Sequence, residues 1–111
     1  MNARATAAYD AAMEPYCSLN EGELREQLGR YASAGRRAEV LEHTQRRRVI
    51  RVGSEVPESL ILRLIEVERG CCPFFEMGWD GASRRLAIEV KDSDHEPALA
   101  AIAFALAAAS D

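Results

Sequence analysis

The sequence predicts an α+β two-layer sandwich, an antiparallel sheet of about four strands with helices on one face. Three observations carry this. Helical periodicity occurs in three separated segments, strict alternation occurs in others, and turn or cap signals stand between them. With 111 residues the chain is sized for one core. We expect an N-terminal tail or frayed helix over 1–16 and a single domain over 17–111.

The first helix is expected over 20–34. Asn20-Glu21-Gly22-Glu23 has the form of a capping box, and Leu24, Leu28 and Tyr31 recur at i, i+4 and i+7. Gly35 is its stop. Residues 38–44 and 47–53 read as a strand pair. Ile50 and Val52 share one face, and Arg47, Val49 and Arg51 share the other. Glu39-Val40-Leu41-Glu42 is the ambiguous part, since it can also continue a helix.

Pro57 suits a helix start, and the run from Glu58 to Arg69 is the strongest helical segment. With Leu60 at the origin of a helical wheel, Leu64, Val67 and Cys71 fall within about 40° of it. Ile61, Ile65, Glu68 and Cys72 form a flank beside that stripe, and Leu62 lies almost opposite. This apolar arc is wider than one sheet face requires, so the first helix or a second subunit is expected to cover the remainder. Pro73 ends the helix.

A hairpin follows, with Phe75, Met77 and Trp79 on one strand, Asp80-Gly81 as the turn signal, and Leu86, Ile88 and Val90 on the return strand. Ser93-Asp94-His95-Glu96 reads as a second capping box. It opens a last helix with Leu99, Ile102, Ala103 and Leu106 on one stripe. Its other positions are mostly Ala, so another backbone can approach closely. Leu62, Ala101 and Ala105 are the expected contact residues of a homodimer.

Composition narrows the function classes. A net charge of −4 disfavours a nucleic-acid partner, which needs a basic footprint. Arg46-Arg47-Arg48, with Arg36, Arg37 and Arg51, forms a local basic patch, better read as a solvated strand edge than as an anion site. No apolar run reaches membrane-spanning length, and the N-terminus lacks a secretory h-region. A cytoplasmic location is expected. Three cysteines in such a reducing setting argue against a structural disulfide framework, so thiols are the working expectation.

The chemistry-bearing segment is Glu68-Arg69-Gly70-Cys71-Cys72-Pro73-Phe74. Two adjacent cysteines end a helix, with a carboxylate three and four residues before them. Thiolates select soft ions, which points to metal or redox chemistry. The competing reading is a pair of small buried hydrophobes. A helix C-terminus and Glu68 both raise a thiol pKa, so these cysteines are expected to be poor nucleophiles. Adjacent cysteines are not the usual zinc spacing, and a four-ligand site would need Glu68, His43, His95 or a subunit interface. The histidines are otherwise expected at the surface.

Cys17-Ser18-Leu19 before a capped helix, together with Glu68-x-x-Cys71-Cys72-Pro73-Phe74 before a hairpin, resembles a family of small uncharacterised bacterial proteins. Its pattern runs Cys-[Ser/Thr]-Leu, then Glu-x-x-Cys-Cys-Pro-Phe, and this chain departs from it only mildly, with Gly70 just before the cysteines. The resemblance implies that Cys17, Glu68, Cys71 and Cys72 belong together. If Cys17 folds back onto the pair, three thiols converge in a site suited to mercury, arsenite or cuprous ions, or to zinc with one more ligand. The expected function is thiol-dependent binding of soft metal or metalloid ions, or thiol redox sensing, rather than catalysis. The alternative is a homodimeric interaction module with inert cysteines.

Overall fold

The computed structural model describes residues 19–107, and the tail expected over 1–16 and Cys17 lie outside them. The elements are α1 (Glu21–Gly35), β1 (Glu39–His43), β2 (Arg47–Arg51), α2 (Glu58–Cys71), β3 (Glu76–Asp80), β4 (Arg85–Glu89), a 3₁₀ turn (Ser93–His95) and α3 (Glu96–Ala107). The architecture is the expected α+β sandwich, with three helices against a four-stranded antiparallel sheet.

The strand order is β1-β2-β4-β3, so the two hairpins join through β2 and β4. Ile50, Leu86, Ile88 and Met77 fall on the inward side of the register and are buried. The opposite side carries Arg47, Glu89 and Glu76 in one cross-strand row. One face is therefore apolar and meets the helices, while the other is a charged, solvated surface. The ambiguous segment is strand β1, and a bulge between Val40 and Glu42 interrupts its pairing with β2.

The capping box of α1 forms as the sequence requires. Glu23 N donates to Asn20 Oδ1 at 2.9 Å, and Asn20 N donates to Glu23 Oε1 at 3.1 Å. The second expected box does not form. Asp92 caps instead, its Oδ1 accepting from Asp94 N at 2.8 Å. A single 3₁₀ turn follows before α3 begins at Glu96. A short aspartate side chain reaches its own backbone two residues on, which competes with a box centred on Ser93.

The β3–β4 connection also differs from a tight Asp-Gly turn. Asp80 Oδ1 accepts from Ala82 N at 3.0 Å, and the left-handed residue is Arg84, at φ 57°, rather than Gly81. Arg84 fastens this loop to the β2–α2 connection. Its Nη2 donates to Gly53 O at 2.8 Å and to Val56 O, and its Nε donates to Val52 O. The same guanidinium lies over the Trp79 ring, 5.5 Å from the centroid, and Trp79 Nε1 donates to Glu58 Oε2 at 2.7 Å.

Helix α2 centres its burial on the expected flank, while Leu60 and Val67 of the expected stripe are only half-buried because the helix turns Ile61 and Ile65 inward instead. Ile61, Leu64, Ile65, Glu68 and Cys71 are all buried. Leu62 is not covered by α1; it is 51% exposed. Ala101 and Ala105, expected at a partner interface, are 4% and 1% exposed because the chain covers them itself. The ends of α1 and α3 touch closely enough that a Cβ on Gly35 would lie 1.8 Å from Leu106 O. Only glycine allows that approach.

Candidate functional site: a buried carboxylate beside two sulfurs

The last turn of α2 builds the site. Cys72 N donates to Glu68 O at 2.6 Å, closing the turn, and Pro73 then forbids its continuation. Glu68, Cys71 and Cys72 thereby all point into the interior, and Glu68 and Cys72 are each 0% exposed. An ionisable side chain at such depth is rare without partners.

Glu68 has them. Gln27 on α1 is also wholly buried, and its Nε2 donates to Glu68 Oε1 at 3.1 Å and to Leu64 O at 3.0 Å. Arg30 Nη1 donates to Gln27 Oε1 at 2.9 Å, and its Nη2 lies 3.7 Å from Glu26 Oε2 at the surface. The result is a polar chain from solvent into the core: Arg30, Gln27, Glu68, then Cys72. The positive charge on Arg30 polarises the Gln27 amide toward the carboxylate. Neither Gln27 nor Arg30 was singled out from the sequence. The signal was present, because Gln27 sits three residues after Leu24 and four before Tyr31, inside the apolar stripe.

The two sulfurs differ. Cys71 is disulfide-bonded, whereas Cys72 is not, and the Sγ atoms lie 3.4 Å apart. The expectation of thiols throughout is therefore corrected at Cys71. Compartment statistics had stood in for geometry, and geometry decides whether a buried sulfur meets a partner. Burial pushes the Cys72 thiol up to about 12, and the adjacent Glu68 carboxylate, which accepts its hydrogen bond, adds to the rise. The upward direction agrees with the sequence reading, with burial as the larger cause. At neutral pH Cys72 is a protonated thiol and a poor nucleophile.

Metal ligation is a separate matter. Among the described residues no group of three or more His, Cys, Asp or Glu side chains is arranged to hold a metal ion. Cys17 lies outside the described residues. The two histidines sit in different settings. His95 stacks on Phe74, with ring centroids 4.1 Å apart, and His43 meets the Arg48 guanidinium. The first of these contacts ties the loop after Cys72 to the start of α3.

Three of the six arginines of the basic patch are neutralised in place. Arg46 pairs with Glu96, Arg47 with Glu42 and Glu89, and Arg51 with Glu39. Arg36, Arg37 and Arg48 have no such carboxylate among the described residues. No described helix is long and apolar enough to cross a membrane. Compared with models of protein families, with curated proteins and with solved structures, the chain matches none.

Proposed function

We propose that this is a thiol-redox protein in which Cys71 is the sulfur that changes state and Cys72 is the thiol that services it. The supporting observation is a disulfide sulfur and a thiol 3.4 Å apart beside a buried carboxylate. Cys17 is the remaining cysteine of the three and lies outside the described residues. In a reducing cytoplasm, the expected location, such a bond serves as a transient catalytic or sensing disulfide.

The chemistry balances with an external dithiol as reductant. Its thiolate attacks the partner sulfur, the bond to Cys71 breaks, and Cys71 leaves as a thiolate. The second reductant thiol closes the reductant disulfide and frees the partner sulfur. Two electrons and two protons have then entered the protein. The Cys72 proton, held by Glu68 at rest, can turn to the Cys71 thiolate and stabilise it as a leaving group. A thiol suits that donor role better than a thiolate would.

Soft-metal binding through Cys17, Glu68, Cys71 and Cys72 belongs to the reduced form alone, because a disulfide offers no thiolate ligand. Zinc, cuprous ion and arsenite are the ions to try.

The test is equilibration in graded dithiol buffers, acid quenching, differential alkylation and mass analysis of each cysteine. Cys71 should titrate between disulfide and thiol while Cys72 stays a thiol throughout. A Cys71 that remains thiol under oxidising buffer, or a Cys72 that oxidises first, overturns the assignment. Zinc retained by the oxidised protein overturns the metal part.

A homodimer joined across Leu62 is the second reading. Its support is the exposure of Leu62 beside a surface depression lined by Ile65, Glu66, Arg69 and Trp79. Light scattering that gives the mass of one chain at high micromolar concentration removes it.

A further inference from the structure

One charge on the inward side of the sheet has no counterion among the described residues. Arg48 occupies a core-facing register position. Its cross-strand partner is Ile88, which in turn faces Met77, and both are buried. Its neighbours Arg46, Arg47 and Arg51 each hold a carboxylate, but Arg48 holds none among the described residues. Among the described residues its Nη1 meets only the His43 imidazole, and its Nε–H is enclosed with no acceptor. Burial lowers its pKa with no anion to offset the loss of water. A half-buried guanidinium with an enclosed N–H is ordinarily paired or engaged by a ligand.

Arg48 borders a groove of about 660 Å³ between the β1–β2 hairpin and α3, which is a usual size for a small-molecule site. One end is cationic or neutral, formed by Arg48 and His43. The wall along α3 is apolar, formed by Pro97, Leu99, Ala100 and Ala103. Just beyond Ala103 on the same helix, Phe104 is 40% exposed. Glu96 stands at the rim, engaged by Arg46 at 2.9 Å.

We infer that this groove binds a small monoanionic carboxylate carrying an apolar tail, its headgroup on Arg48 and its tail along the α3 wall. A guanidinium matches a carboxylate geometrically, and Arg48, which lines the groove, holds no carboxylate of its own among the described residues. A single uncompensated guanidinium next to the Glu96 carboxylate suits one negative charge and opposes two. This selects a carboxylate over a phosphate. The inference does not depend on the redox state of Cys71.

The experiment is calorimetric titration of the full chain with decanoate below its micelle concentration, run beside decan-1-ol and inorganic phosphate. Decanoate should bind, decan-1-ol should bind at least tenfold more weakly, and phosphate should give no saturable heat. Arg48→Met should weaken decanoate at least tenfold while raising or preserving the melting temperature, since it removes a partly desolvated charge. Ala100→Phe, at an exposed position on the wall, fills the groove without touching the core and should also block binding, which covers the case in which Arg48→Met does not fold. Absence of decanoate binding by the wild type, equal affinity in folded Arg48→Met or in Ala100→Phe, or equal binding of decan-1-ol or phosphate overturns the inference.

Discussion

Gln27 Nε2 donates to Glu68 Oε1 across 3.1 Å, joining two helices through residues 41 positions apart in sequence. That one amide also satisfies Leu64 O and accepts from Arg30. Gln27→Leu keeps the volume but strands a buried carboxylate oxygen and a guanidinium N–H. It should cost about 1–3 kcal/mol. Urea denaturation measures this, and an unchanged midpoint would show that the polar chain contributes nothing to stability.

The Cys72 thiol makes stability depend on alkaline pH. Its folded pKa is raised from an ordinary 9.0 to about 12. Folding therefore favours the protonated form, and the contribution is fully present below pH 9 and lost progressively between pH 9 and 12. Across that window the wild type should lose stability relative to Cys72→Ser by up to about 1.4 kcal/mol per pH unit. Glu68→Gln should narrow the window from its upper end, leaving burial as the remaining cause. Wild-type and Cys72→Ser stability curves that run parallel from pH 8 to 11 contradict this.

Two helical glycines should respond in opposite directions. At Gly35 an added methyl meets the Leu106 carbonyl, so Gly35→Ala must push α1 and α3 apart, at roughly 1–3 kcal/mol. At Gly29 nothing lies within 4 Å, so Gly29→Ala should stabilise by about 0.5–1 kcal/mol through helix propensity alone. Thermal melts of the two variants should bracket the wild type, and a Gly35→Ala melt at or above it refutes the close approach.

Arg84 combines a left-handed backbone with a guanidinium donating to three carbonyls. Both Arg84→Ala and Arg84→Gly lose the clamp, at about 2–3 kcal/mol. Glycine also relieves about 1 kcal/mol of backbone cost that alanine retains. The expected order of melting temperatures is wild type, then Gly, then Ala. Alanine melting above glycine would mean that the φ of 57° carries no penalty.

Periodicity made the elements legible. The stripes Leu24-Leu28-Tyr31 and Leu60-Leu64-Val67 and the alternation Leu86-Ile88-Val90 sufficed to place α1, α2 and β4 within a residue or two. The α2 flank of Ile61, Ile65, Glu68 and Cys72 was visible too, but a helical wheel does not say that a flank becomes interior. That required α1 to lie against it, bringing Gln27 to Glu68. Arg48 shares its strand parity with Ile50 and Val52, so its inward position was readable, yet the triple-arginine run drew attention to charge rather than register. The state of Cys71 was not readable at all, because a disulfide is set by which sulfurs meet in three dimensions.

The Trp79–Glu58 hydrogen bond gives the chain an optical reporter. Trp79 is its only tryptophan, so the whole indole emission comes from the junction between β3 and the first turn of α2. A carboxylate on the indole N–H and a guanidinium over the ring make that emission sensitive to the seating of α2. The far end of the same helix carries Cys71 and Cys72, so fluorescence recorded during reduction would read whether the chemistry at one terminus of α2 is felt at the other.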